Sequence, residues 1–226
     1  LILSNYLKNY KYNKSISELL IKIYFNFNYN REIENFFNEH KISESDNSFD
    51  KYKIHYYRAR YFEKVDNINK SVSSYEKSID CNPDESITFI YLFDLLERAN
   101  LLEKLSYYLE ISNKFNSSDP NYYRIIYYSC LALNRNKNYQ ESENRINKFN
   151  LYKNLKLDDY YMPKLLDLIS KNNEKIKNYK KSIKSIIERN NLIINLKINK
   201  KFNRNSILQT IQSYKKFYNK KIFTNL

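Results

Sequence analysis

The chain has 226 residues, 42% of them hydrophobic, enough to bury a core, and no apolar run of the length a membrane-crossing helix needs. It contains no glycine, 3 prolines, 2 cysteines and no tryptophan, which excludes glycine loops that cradle phosphates, disfavours tight β-hairpins and leaves no residue suited to positive-φ turns. The net charge of +14 is uneven: residues 171–226 hold 13 Lys and 2 Arg against Glu174 and Glu188, while the first 170 residues are nearly balanced.

In chain order, residues 1–12 read as a helix that opens on Leu1 rather than methionine, so residues 1–13 are expected to be the end of a preceding helix in a fragment. Apolar residues then recur at three and four: Ile16, Leu19, Leu20 and Ile23; Ile33, Phe36 and Phe37; Ile90, Phe93 and Leu96; Leu101, Leu105 and Leu109. The prolines punctuate this pattern. Asn82-Pro83-Asp84-Glu85 and Asp119-Pro120 predict an N-cap, a proline at the first helical position, then a helix. Asp158-Asp159 before Met162-Pro163 predicts a third start, with the proline inside the first turn or just past it. Polar breaks at 43–48, 116–119 and 134–138 divide the chain into helices of about 12 to 16 residues.

The segment 52–85 shows the clearest repeat unit, 34 residues long. It places Ala59 at a small slot in a first helix, Phe62 at an aromatic slot, Ser71, Tyr75 and Ser78 at small, aromatic and small slots of a second, and Pro83 at the close. This pattern resembles the tetratricopeptide repeat (TPR), in which small side chains let two antiparallel helices approach and large ones fill the space between successive pairs. The second-helix aromatic slot recurs at Phe37, Tyr75, Leu109, Ile146 and Ile187, with Lys171 on a slot that wants a small residue. The resemblance implies an all-α, right-handed α-solenoid of about five degenerate TPR-like helical hairpins over residues 14–195, and a basic C-terminal helix within 196–226.

The stretch 181–223 is similar in order to the linker of bacterial TPR-containing sulfotransferases. There Glu188, Arg189 and Asn191 form an E-R-x-N-like turn that ends the last second helix; Lys200, Lys201 and Phe202 follow, then a helix with Ile207, Ile211 and Phe217. That resemblance implies a repeat region leading toward a downstream catalytic domain, whose P-R-S-G-T-T-like loop would bind phosphoadenosine phosphosulfate. No residue here matches that loop, so this chain itself has no catalytic site and no cofactor.

His40 and His55 lack clustered partners and predict no metal site; His55 falls on the buried side of the best repeat. Cys81 and Cys130 are expected to be small buried hydrophobes in a reducing cytoplasm. The doublets Tyr56-Tyr57, Tyr107-Tyr108, Tyr122-Tyr123, Tyr127-Tyr128 and Tyr160-Tyr161 each predict one ring toward the core and one toward the rim. By register the concave groove would present Lys53, Tyr56, Arg60 and Lys64, then Asp94 and Arg98, then Arg124, Tyr127 and Arg135, chemistry suited to an acidic or aromatic peptide or a flexible segment of the same protein. Three functions follow: the repeat region of a sulfotransferase-like enzyme, a stand-alone adaptor for protein partners, and a binder of nucleic acid or an anionic membrane surface through residues 171–221.

Overall fold

A computed structural model describes residues 51–196 together with residues 21, 24, 25, 31–33 and 35. The expected helix at 1–12, His40, Phe37 and the segment 197–226 lie outside the described residues. Among the described residues the regular structure is all helical: α1 (Lys51–Lys64), α2 (Ile68–Cys81), α3 (Ser86–Arg98), α4 (Leu102–Ile111) with a 3-10 turn at Ser112–Lys114, α5 (Tyr122–Arg135), α6 (Tyr139–Lys148), the single turn α7 (Leu151–Asn154), α8 (Tyr161–Lys175), and α9, residues 179–196. The chain forms two compact units, Leu1–Tyr128 and Ser129–Leu226.

In the first unit the repeat slots pack as the motif requires. Ala59, Ser71, Tyr75 and Ser78 are fully buried where α1 meets α2. The serines do more than save space. Ser71 Oγ donates to the Ala59 carbonyl at 2.9 Å, and Ser78 Oγ to the Tyr52 carbonyl at 2.7 Å. Each hydroxyl is satisfied by the facing helix, so close approach carries no unpaired polar group. The α3 core is aromatic and aliphatic: Phe89, Leu92, Phe93 and Leu96 are fully buried, and Phe93 meets Tyr128 of α5 at 5.5 Å. Ile21 and Ile33 are also buried, packed against Ile54, Tyr57 and Tyr61.

In the second unit the same small-slot contact recurs twelve residues apart. Ser142 Oγ donates to the Cys130 carbonyl at 2.8 Å, and Ser170 Oγ lies 3.1 Å from Ser182 Oγ. The last pair corrects the register read from the sequence: Ser170, not Lys171, occupies the small slot, and Lys171 is solvent-exposed. Ile187, which the sequence places on an aromatic slot, is 56% exposed. The displacement follows from the extra turn α7 and the 155–160 loop, which lengthen the connection before α8.

The helix starts and stops also differ from expectation. Pro83 and Pro120 stand in turns before the helices, not at their first position. Asn82 Oδ1 accepts from Asp84 N–H, Asp119 Oδ1 accepts from Asn121 N–H at 2.7 Å, and α3 and α5 begin only at Ser86 and Tyr122. Asp158 caps as expected, its Oδ1 accepting from Tyr160 and Tyr161 N–H at 3.1 Å, with Pro163 inside the first turn of α8. The E-R-x-N-like turn is not a turn. Glu188, Arg189 and Asn191 lie inside α9, because no breaker interrupts the apolar run that follows.

The absence of glycine does not prevent left-handed turns. Asp66, Asn100, Lys137, Asn150 and Lys177 have φ between 50° and 65°. Four of them end first helices of the hairpins with one bonding pattern. After α1, for example, Asn67 N–H donates to the Phe62 carbonyl and Asp66 N–H to the Glu63 carbonyl; after α8, Asn178 donates to Asn173 and Lys177 to Glu174. This is the Schellman closure, ordinarily made with glycine.

Candidate functional site

The groove residues of the first unit converge on one carboxylate. Glu63, near the end of α1, accepts from the Tyr75 hydroxyl of α2 through Oε1 and from Arg98 Nη2 of α3 through Oε2 at 2.7 Å, while Arg60 Nε lies 4.0 Å away. Arg98 Nε also donates to Asp94 Oδ2 at 3.1 Å, and Asp94 Oδ1 accepts from the Tyr128 hydroxyl. Arg60 Nη1 donates to the Tyr56 hydroxyl at 3.2 Å, and its guanidinium stacks 4.1 Å above the Tyr91 ring. Tyr56 in turn packs edge-on against Tyr75 and Tyr91, at 6.2 and 5.6 Å.

Two arginines are thus fixed on either side of Glu63 by groups from three helices. These contacts leave Arg60 Nη2 and Arg98 Nη1 without a partner among the described residues. Burial works against the Arg60 charge, but the hydroxyls of Tyr56, Tyr75 and Tyr91 outweigh it and hold the pKa above the usual arginine range. For Arg98 burial is likewise outweighed, by Asp94 and Glu63. Burial raises the Tyr56 and Tyr75 hydroxyls, so both rings stay neutral. A guanidinium held rigid with an open N–H edge is a receptor for a carboxylate, and the tyrosine rings beside it suit an aromatic side chain.

The other residues named from register distribute differently. Lys53 is half-buried on α1. Lys64 is exposed and donates to the Phe25 carbonyl at 3.0 Å, its ammonium 4.6 Å from the Phe25 ring. Arg124 is half-buried and donates to Asn121 Oδ1 at 2.9 Å. Tyr127 is only 4% exposed, beside an equally buried Tyr128, so this doublet does not divide between core and rim as Tyr160 and Tyr161 do. Arg135 belongs to the second unit and is exposed at the end of α5. Register alone did not single out Glu63 or Tyr91. The signals for them were the three-residue spacing from Arg60 to Glu63 and the tyrosine on the adjoining turn of α3.

Outside this cluster, His55 is half-buried and its pKa is lowered to about 4, by burial first and then by Lys77, Arg58 and Lys51. Cys130 is buried and its thiol is pushed up to about 12 by burial. Cys81 is exposed, against expectation, because it closes α2 at its solvent end. Among the described residues no helix is long and apolar enough to cross a membrane.

No family model and no curated protein matches the chain. Solved structures do. MamA residues 41 to the end from Desulfovibrio magneticus RS-1 has a TM-score of 0.60 at 12% identity, covering 80% of this chain and 95% of that one. A MamA RS-1 ArsTM double mutant gives 0.58 at 11% identity, with 80% and 95% covered. Nearly identical TPR-like repeats of a Podosopora anserina kinesin light chain give 0.58 at 9% identity, with 80% and 94% covered. At such identities the likeness speaks for the fold, and with the Ala59–Ser71 and Cys130–Ser142 contacts it establishes an all-α fold of TPR-like helical hairpins.

Proposed function

We propose that the chain is a protein-interaction scaffold that holds an extended peptide against the α1 and α3 face of its first unit, with Arg60 and Arg98 receiving a carboxylate and Tyr56 and Tyr91 an aromatic side chain. The observation that carries this reading is the pair of arginines fixed around Glu63 with open N–H edges. Such preorganisation lowers the ordering cost of binding, and Arg and Tyr are the residues on which interface energy concentrates. The compartment is read as cytoplasm from two unpaired cysteines.

The test is selection from a random peptide library followed by fluorescence polarisation. Enriched peptides should carry Asp, Glu or a free C-terminus near an aromatic residue. Arg60→Gln or Arg98→Gln should weaken them about tenfold, the scale of one charge-assisted hydrogen bond, while Arg145→Gln in the second unit leaves them unchanged. Peptides indifferent to both groove substitutions would end this reading. The narrower reading, a repeat region of a sulfotransferase-like enzyme, rests on the sequence order after residue 191; reading the coding frame beyond Leu226 for a P-R-S-G-T-T-like loop decides it.

A further inference from the structure

The second unit carries a cleft of about 470 Å³ between α6, α8 and α9, a volume within the range of small-molecule sites. Its floor is apolar, made by Ile146, Leu166 and Ile169, and Lys181, Lys184 and Glu188 of α9 stand along its edge. The extra turn α7 supplies a further wall. Leu151 anchors that turn in the core, and Tyr152 beside it reaches across to donate its hydroxyl to Glu188. Two buried acceptors lie at the Lys181 end. Glu143 Oε2 and Asn173 Oδ1 have no hydrogen-bond partner among the described residues, although Glu143 is 4% and Asn173 1% exposed; a polar atom sealed from water without a partner calls for an explanation. Both residues share one level of the unit: their neighbours Ser142 and Asn172 bond at 2.9 Å, and Lys181 donates to Glu143 Oε1. Glu143 precedes Ile146 by three on α6 and Asn173 follows Ile169 by four on α8, the steps that keep side chains on one helix face, here the face that forms the floor. Asn173 Nδ2 already donates to the Ile169 carbonyl at 2.8 Å, so both bare atoms act only as acceptors.

We propose that this cleft binds a small primary amine with an apolar body, its ammonium donating to Glu143 Oε2 and Asn173 Oδ1 and its hydrocarbon lying on Ile146, Leu166 and Ile169. An ammonium brings several donors and the charge that a bare carboxylate oxygen favours, whereas a neutral alcohol brings one donor and no charge. Two protein oxygens are too few to hold calcium, and the apolar floor suits a carbon skeleton rather than a bare ion. Lys181 covers the inner end. Its side chain is 41% exposed and swings toward solvent to admit the guest. Plain amines and free amino acids share this chemistry; in an amino acid the carboxylate would meet the Lys184 ammonium at the cleft edge.

The test titrates phenethylamine, phenylalanine and 2-phenylethanol into the full chain and follows methyl and side-chain amide NMR signals. Phenethylamine should shift the Ile146, Ile169 and Asn173 signals and bind at least about tenfold more tightly than 2-phenylethanol, the scale of one charge-assisted hydrogen bond. Phenylalanine binding as tightly as the amine, and losing affinity in Lys184→Gln, identifies an amino acid as the guest; weaker binding of phenylalanine identifies a plain amine. Glu143→Gln should erase the preference for amine over alcohol and leave the affinity for the alcohol unchanged. Because that change also leaves Lys181 without its partner, Glu143→Gln with Lys181→Met repeats the comparison with neither charge present. Equal affinities of amine and alcohol in the parent chain, no binding of either, or shifts confined to other residues would overturn the proposal and leave trapped water as the partner of the two acceptors.

Discussion

Replacing Lys137 and Lys177 by glycine should stabilise the protein. Both residues hold φ near 64° at the ends of α5 and α8, at 63° and 65°, and neither side chain makes a hydrogen bond or ion pair among the described residues. Their backbone bonds are good: Asn138 N–H to the Leu133 carbonyl at 2.9 Å and Asn178 N–H to the Asn173 carbonyl at 2.7 Å. Only the conformational cost of a left-handed lysine therefore changes. That cost is roughly 1–2 kcal/mol per residue, and the greater freedom of glycine in the unfolded chain offsets about 0.4–1 kcal/mol of the gain. Each site should gain about 0.5–1 kcal/mol, and the two should add, since they close different turns. At this chain length 1 kcal/mol moves Tm by about 2–4 °C. Thermal and urea unfolding followed by circular dichroism reads the effect. Asn100→Gly should gain less, because Asn tolerates this region, and Lys184→Gly inside α9 should lose about 1 kcal/mol. A Lys137→Gly, Lys177→Gly chain no more stable than its parent would refute the left-handed closures.

Three further outcomes follow from the packing and the titrating groups. Ala59→Leu, at a fully buried slot against Ser71, should cost about 2–3 kcal/mol by urea unfolding, since the helices cannot separate without losing their shared contacts. His55 is neutral in the fold down to pH about 4, whereas the unfolded chain takes up a proton near pH 6.5; its contribution is complete above pH 6.5 and is lost as pH falls toward 4. After discounting for partial exposure this is worth about 1–2 kcal/mol, and an imidazole titration by NMR with a midpoint near 6.5 would contradict it. Lys181 donates to Glu143, which is 4% exposed and whose Oε2 has no partner. Lys181→Met should cost about 3 kcal/mol by stranding that carboxylate, and adding Glu143→Met should recover most of it; equal stability of the single and double variants would contradict the pairing.

The hairpin was legible where side-chain size alone sets the helix distance: Ala59, Ser71, Tyr75 and Ser78 could be read from spacing because a larger residue at any of them would force the helices apart. The left-handed turns were not legible from residue type. Lys137 and Lys177 look like ordinary surface lysines, and their common role shows only in the recurrence of 66, 100, 137 and 177 along the repeat. The register of the last hairpin slipped by one because α7 adds length that no slot residue announces. The site was half legible. Register selected Tyr56, Arg60 and Arg98; the three-residue spacing from Arg60 signals Glu63 as a partner of Arg60, but that the same carboxylate also receives Arg98 is visible only once α1 and α3 are placed side by side. Burial of Tyr127 and exposure of Cys81 depend on helix ends and on neighbouring helices that spacing does not report.

The most direct measurement is a double-mutant cycle across the groove, pairing Arg60→Gln with an Asp→Asn change in the tightest selected peptide. Direct contact between Arg60 and that carboxylate predicts that the two losses fail to add, with a coupling of about tenfold in Kd, or roughly 1.4 kcal/mol. Fully additive losses would contradict a carboxylate held by Arg60 and, with it, the α1 and α3 face as the binding surface.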